Sequence, residues 1–141
     1  MQKITPFHLA IPVDCLLKAR DFYGKLLGCE EGRSSTDWID YNFFGHQLVC
    51  HCSGQSKSNH QNNAVDGKNV PVPHFGVVLE MSDWLELKDK LMKNDTAFLI
   101  EPYVRFEGLD GEQATMFLYD LSGNALEFKS FKNISSELFK K

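Results

Sequence analysis

Two histidines and one glutamate stand out because a repeat in the chain puts them at related positions. His8 opens the run Pro6-Phe7-His8-Leu9-Ala10-Ile11-Pro12-Val13, and His74 opens Pro73-His74-Phe75-Gly76-Val77-Val78-Leu79. Aligning the runs pairs His8 with His74. Farther along, Phe43-Phe44-Gly45-His46 and Leu121-Ser122-Gly123-Asn124 read as matching turns, and pairing Gly45 with Gly123 pairs Val49 with Glu127. Corresponding positions of paired repeats converge about a pseudo-two-fold axis, so His8, Val49, His74 and Glu127 are expected to meet. Two imidazoles and one carboxylate on one face of a metal, with open positions opposite, suit non-haem iron(II) chemistry. Zinc also accepts two His and one Glu. Taken singly, a histidine at a strand start is usually structural, and a glutamate within a strand usually faces solvent. Coincidence at repeat-related positions gives the metal reading its weight; a metal-free binding cleft is the alternative.

Cys50-His51-Cys52 offers a second cluster, but adjacent strand residues point to opposite faces, so both thiols would face away from His51. No further cysteine pair completes a zinc site. With Cys15 and Cys29, these read as reduced thiols in a cytoplasmic protein. Pro6, His8 and Pro12 interrupt what a secretory leader would need as an apolar stretch. The chain carries 15 Lys+Arg against 19 Asp+Glu, a net charge of −4 with His neutral, and no basic cluster. That balance argues against nucleic acid as a partner, and no run is apolar enough to span a membrane.

The elements that must position these residues repeat as well. A helix is expected over Leu16–Leu27, capped by Asp14, with Leu16, Ala19, Tyr23 and Leu26 inward and Gly28 as the stop. A second is expected over Asp83–Lys93, capped by Ser82, with Trp84, Leu87 and Leu91 inward and Asn94 as the stop. Strand-like segments follow each helix: Glu31–Ser35, Trp38–Phe43 and Gln47–His51, then Ala97–Phe106, Thr115–Tyr119 and Ala125–Phe131. The pattern is βαβββ twice, an α+β class in which two modules pair into a cupped mixed β-sheet with flanking helices. Within one domain of 141 residues, module one covers about 5–52 and module two about 72–131, with a tail at 132–141. The polar stretch 53–71 is expected to be a mobile linker, a lid over a site being the sharper alternative.

These residues carry a resemblance. Phe7-His8-Leu9-Ala10, Ala19-Arg20-Asp21-Phe22-Tyr23-Gly24, Leu27-Gly28-Cys29, Pro73-His74-Phe75-Gly76, Ile100-Glu101-Pro102-Tyr103 and Ser122-Gly123-Asn124-Ala125-Leu126-Glu127 resemble the vicinal oxygen chelate superfamily. That superfamily includes glyoxalase I, extradiol dioxygenases and bleomycin-resistance proteins. The match is nearest to a small two-module branch of extradiol-type dioxygenases and spans Thr5 to Phe131. The resemblance implies His8, His74 and Glu127 as ligands of one divalent metal, Fe(II) first, with Mn(II), Zn(II) or Ni(II) as alternatives. Glyoxalase I-like members commonly place a glutamate at the fourth position, where this chain has Val49. Gln47 shares the strand face of Val49 and could reach in instead; His51, on the same face, is a candidate base.

The expected activity is a metal-dependent dioxygenase acting on a catechol-like or other vicinal-oxygen small molecule. Catalytic roles are expected for His51, Tyr103 and Arg105, with Arg105 as an anion clamp; a surface ion pair with Glu101 or Glu107 is its ordinary alternative. A glyoxalase-like isomerase or lyase using zinc or nickel would need a base near Val49, and none is written there. A non-catalytic small-molecule binding protein of the same fold suits the many Phe residues. A module serving interactions alone gives no reason for His8 and His74. A homodimer is the expected assembly, with the site formed within one chain or across a swapped pair.

Overall fold

Alternating apolar and polar side chains build two four-stranded sheets of the same topology. The computed structural model describes residues 3–53 and 61–141. It divides into two units, Met1–Ser58 with Asp120–Asn124, and Asn59–Tyr119 with Ala125–Lys141. The first unit holds β1 (His8–Val13), the helical turn α1 (Leu16–Ala19) continued by a π-helix (Arg20–Leu26), β2 (Glu30–Ser34), β3 (Trp38–Phe43) and β4 (His46–Cys52). Its sheet runs β1-β4-β3-β2, with β1 parallel to β4 and the other pairs antiparallel. Ile39, Tyr41 and Phe43 of β3 and Leu48 and Cys50 of β4 are buried on one face at the two-residue period of a strand.

The expected helix is there but is not a plain α-helix. Leu27 N–H bonds to the carbonyl of Phe22, five residues back. That wider turn puts Phe22, Tyr23 and Leu27 in the core with Ala19, while Leu16 and Leu26 are only half-buried. Nor is Asp14 the cap. Cys15 holds that place without a side-chain bond, because the Asp14 carboxylate accepts from Lys18 Nζ and Ser122 Oγ. The five residues Asp120–Asn124 complete this unit. Asp120 is buried and accepts from the Tyr23 phenol at 2.7 Å and from the N–H groups of Ser122 and Asn124 at 2.8 Å each. Burial, then the adjacent Asp120, push the Tyr23 phenol well above its usual pKa. Cys29 and Cys50 are buried, and burial pushes the Cys50 thiol up to about 12.

The second unit opens with a hairpin where a linker was expected. Of the stretch 53–71, residues 54–60 lie outside the described residues, and the rest is not an open linker. It contributes β5 (Gln61–Val65) and β6 (Lys68–Val72), an antiparallel hairpin. Its two turn residues, Asp66 (φ 52) and Gly67 (φ 73), are both left-handed, the turn whose twist matches that of the flanking strands. There follow β7 (Phe75–Leu79), α2 (Met81–Lys93), β8 (Phe98–Arg105), β9 (Gln113–Tyr119), β10 (Ala125–Phe131) and α3 (Ile134–Glu137) in the expected tail. The sheet runs β7-β10-β9-β8, with β7 parallel to β10. Trp84, Leu87 and Leu91 of α2 are buried as expected, and Trp84 Nε1 donates to the Phe128 carbonyl at 2.8 Å. Glu80, not Ser82, occupies the N-cap. Among the described residues no helix is long and apolar enough to cross a membrane.

Candidate metal and ligand site

Strand register decides which side chains meet. In the second unit Glu127 of β10 pairs with Gly76 of β7 and with Phe117 of β9. A Cβ on Gly76 would collide with the Glu127 backbone carbonyl, so this close approach requires glycine. His74 stands one residue before β7, just after the cis Val72–Pro73 peptide bond. Its Nδ1–H donates to the Pro71 carbonyl at 2.7 Å, which directs Nε2 at Glu127 Oε2, 3.0 Å away. Glu127 Oε1 accepts from Thr115 Oγ1 at 2.8 Å, and the His74 ring meets Phe117 edge to face, centroids 5.1 Å apart.

The electrostatics follow from these contacts. The bond to Glu127 holds the His74 imidazolium above its ordinary pKa, against the pull of burial. Burial alone would raise the Glu127 carboxyl; the bonds from His74 and Thr115, with the Lys129 charge, outweigh it and hold the carboxyl below its ordinary pKa.

Around this pair lies a cavity of about 250 Å³ whose walls, among the described residues, come from the second unit, Val65, Val70, Ile100, Tyr103, Arg105 and Phe117 included. An apolar cavity of about 150 Å³ holds benzene, so a substituted six-membered ring fits here. Tyr103 and Arg105 reach the cavity through an irregularity. Ile100 pairs with Phe117 and Tyr103 with Thr115, so three steps along β8 match two along β9. The extra residue brings Ile100, Tyr103 and Arg105 to one face.

Arg105 does not pair with Glu101 or Glu107. Its guanidinium grips Asp66 at the tip of the β5–β6 hairpin, Nη2 to Oδ1 at 3.2 Å and Nε to Oδ2. Tyr103 donates its phenol to Asp66 Oδ2 at 3.0 Å. Burial, then that bond, raise the phenol's pKa and keep it a donor.

His8 and His51 lie in the first unit. His8 Nδ1 contacts Gln47 Oε1 at 2.8 Å; the Gln47 amide points its Nε2 at Asp40 Oδ2, 3.4 Å away. An amide oxygen only accepts, so His8 Nδ1 donates. His8 pairs with Gln47 and Ala10 with Val49 along β1 and β4. Alternation puts Gln47, Val49 and the exposed His51 on one face of β4. Gln47 thus holds His8 through its amide oxygen. The contributions of Asp66, Thr115 and Gln47 depend on tertiary pairing; only Asp66 had a local signal, the Asp-Gly dipeptide of a hairpin turn.

Over 92% of its length the chain is similar, at 36% identity and a TM-score of 0.74, to a glyoxalase/bleomycin resistance protein/dioxygenase from Alicyclobacillus acidocaldarius, covering 93% of that chain. The chain belongs to the glyoxalase/bleomycin resistance/dioxygenase family, within the vicinal oxygen chelate superfamily. The same fold occurs in a glyoxalase/dioxygenase from Nostoc punctiforme, at 16% identity and TM-score 0.66 over 89% of this chain and 90% of that one. It also occurs in a lactoylglutathione lyase from Agrobacterium tumefaciens, at 14% identity and TM-score 0.63 over 100% of this chain and 98% of that one. Neither a protein-family model nor a curated protein matches the chain.

Members of this family typically depend on a divalent metal, and the His74–Glu127 geometry fits one. Donors bound to one cation at right angles, with bonds of about 2.0–2.2 Å, lie about 3 Å apart. His74 Nε2 and Glu127 Oε2 are 3.0 Å apart, with both outer atoms held by Pro71 and Thr115 as ligand-orienting partners are. Among the described residues no three His, Cys, Asp or Glu side chains cluster so as to hold a metal; His74 and Glu127 form a two-donor pair.

Proposed function

We propose that the chain is a metal-dependent, dioxygenase-like enzyme acting on a catechol-like or other vicinal-oxygen small molecule, with His8, His74 and Glu127 as the metal ligands. The observation that carries this reading is the preset pair His74 Nε2 and Glu127 Oε2, 3.0 Å apart at a ring-sized cavity. His8 supports it by presenting an imidazole whose Nδ1, like that of His74, is engaged by an oxygen acceptor. A divalent metal in that donor set, Fe(II) by preference, supplies Lewis acidity toward a substrate hydroxyl and an entry for dioxygen.

The chain's own residues do the rest. The Pro71 carbonyl keeps the His74 proton on Nδ1, and Thr115 Oγ1 fixes the carboxylate plane of Glu127. Ile100 and Phe117, both buried, shield one side of the cavity from water and offer apolar faces to a ring. In the first unit, Val49 stands at the position equivalent to Glu127 and cannot move a proton, which favours a dioxygenase-like over a glyoxalase-like reaction. His51, on the face of Val49, is the proposed base for exchange of a substrate proton.

The test is elemental analysis of protein purified without chelator, followed by anaerobic loading with Fe(II) and exposure to catechols and air. Near one metal per chain, lost in His74→Ala and His8→Ala, with oxygen uptake in the presence of a catechol, is the expected result. Equal metal in all three proteins would overturn the ligand set. Turnover of the glutathione–methylglyoxal hemithioacetal would overturn the dioxygenase assignment.

A further inference from the structure

A ligand in the second unit's cavity would meet Arg105 and Tyr103 as donors, yet both already serve a carboxylate of the chain itself. Asp66 Oδ1 accepts from Arg105 Nη2, and its Oδ2 accepts from the Tyr103 phenol and lies in ion-pair contact with Arg105 Nε. A planar fork plus a phenol around one carboxylate is a receptor for a planar monoanion. Its present occupant is not deeply held, since the Asp66 side chain is 37% exposed at a hairpin tip. The hairpin has its own apolar anchorage, Val70 packing with Ile100 and Phe117, and Lys68 Nζ lies 5.0 Å from the centre of the Tyr103 ring. Releasing the Asp66 carboxylate therefore costs the hairpin none of those contacts.

We propose that Asp66 stands in for an anionic substituent of the ligand, and that the cavity takes a small aromatic carboxylate whose own carboxylate displaces Asp66 from Arg105 and Tyr103. This rests on the cavity being the ligand site of the reading above, and it narrows the substrate class within it. The exchange conserves bonding: Arg105 and Tyr103 swap one carboxylate for another, and Asp66 passes into water at the rim. A neutral ring of the same size gains nothing from that exchange and leaves the Asp66 contact closed. Asp66 thus acts as a specificity-determining residue and an internal competitor.

The probes are benzoate and benzamide, an anion and a neutral molecule of nearly the same shape, titrated by calorimetry into the metal-free full chain. Asp66→Asn is expected to bind benzoate about tenfold more tightly than wild type, the scale of a charge-assisted hydrogen bond no longer contested. Benzamide affinity stays within about twofold, because no charge-assisted bond to it is at stake. Adding Arg105→Gln to Asp66→Asn erases the benzoate gain. Equal gains for both probes would mean that the hairpin merely obstructs the cavity, and no gain for benzoate would mean that Asp66 occupies no ligand position; either overturns the proposal. A second measurement needs no variant: saturating benzoate in wild type should speed amide exchange at Asp66 and Gly67 and shift the Tyr103 ring signals, and unchanged spectra overturn the proposal. Metal content, measured separately, tells the two failures apart: benzoate selectivity without metal defeats only the enzyme reading, and metal without selectivity defeats only this one.

Discussion

The two units place the same strands around different chemistry. In each, a first strand runs parallel beside the last, and register aligns Ala10–Val49 with Gly76–Glu127. Around that shared frame the side chains diverge. The first unit holds its histidine through a side-chain relay, Gln47 to Asp40, and has an apolar Val49 beside it. The second holds its histidine through a backbone carbonyl, Pro71, and faces it with a carboxylate. A repeated fold thus keeps the positions and changes what occupies them: one copy presents an imidazole held by an amide, the other an imidazole–carboxylate pair. The second copy also adds the β5–β6 hairpin, which supplies Pro71 to the histidine and Asp66 to the cavity rim.

The largest effect should come from emptying the richer side. Glu127→Gln or His74→Ala should weaken metal binding by more than about 100-fold, beyond the 10–100-fold that loss of an orienting partner causes. His8→Ala should match it if both copies serve one ion; competitive chelator titration reads all three, and a negligible His8→Ala effect would confine the site to the second unit. The orienting groups come next. Thr115→Val and Gln47→Leu should each lower metal affinity by roughly 10-fold or more, and a silent Gln47→Leu would break the parallel between the two histidines.

The frame itself can be stressed at its equivalent positions. Gly76→Ala should cost about 1–3 kcal/mol in urea denaturation, the usual penalty of forcing atoms into packed structure. Ala10→Gly, in the open copy, should cost only about 0.5–1 kcal/mol through chain entropy. Comparable losses at both would mean that the close approach at Gly76 is not special.

The smallest effect is that of pH on the metal-free protein. His74 titrates above its ordinary 6.5 when folded, so its contribution is full below 6.5 and is lost as pH rises through the folded value. Glu127 titrates below its ordinary 4.5, so its contribution is full above 4.5 and is lost as pH falls through the folded value. The pair therefore stabilises most between 4.5 and 6.5. Urea midpoints of wild type and Glu127→Gln should differ most in that window; a constant difference across pH would deny the coupling.

Much of this comparison was legible in the sequence because it rests on period and punctuation. The strands around Trp38–Phe43 and Ala125–Phe131 alternate, and Gly45 and Gly123 mark equivalent turns, so the pairing of Val49 with Glu127 agrees with the register of both sheets. What escaped depends on departures from regularity. The wide turn after Ala19 leaves no mark on an apolar pattern, and the extra residue in β8 changes which neighbours share a face, removing Glu101 from the side of Arg105. The polar composition of 53–71 hid a hairpin that Asp66-Gly67 alone announces. Thr115 and Gln47 were invisible as partners because hydroxyls and amides acquire a role only when another strand delivers the group they hold.

The turn Asp120–Asn124 has a consequence in time. It belongs to the first unit, although the strands on either side of it belong to the second. On a ribosome, β1 to β4 emerge well before Asp120 exists, and until then the Tyr23 phenol lacks the carboxylate it donates to in the finished fold. A nascent chain stopped before that turn would carry a buried hydroxyl in want of a partner, a defect of about 1–3 kcal/mol. The first unit to begin is not the first to be complete, because its last five residues come after most of the second.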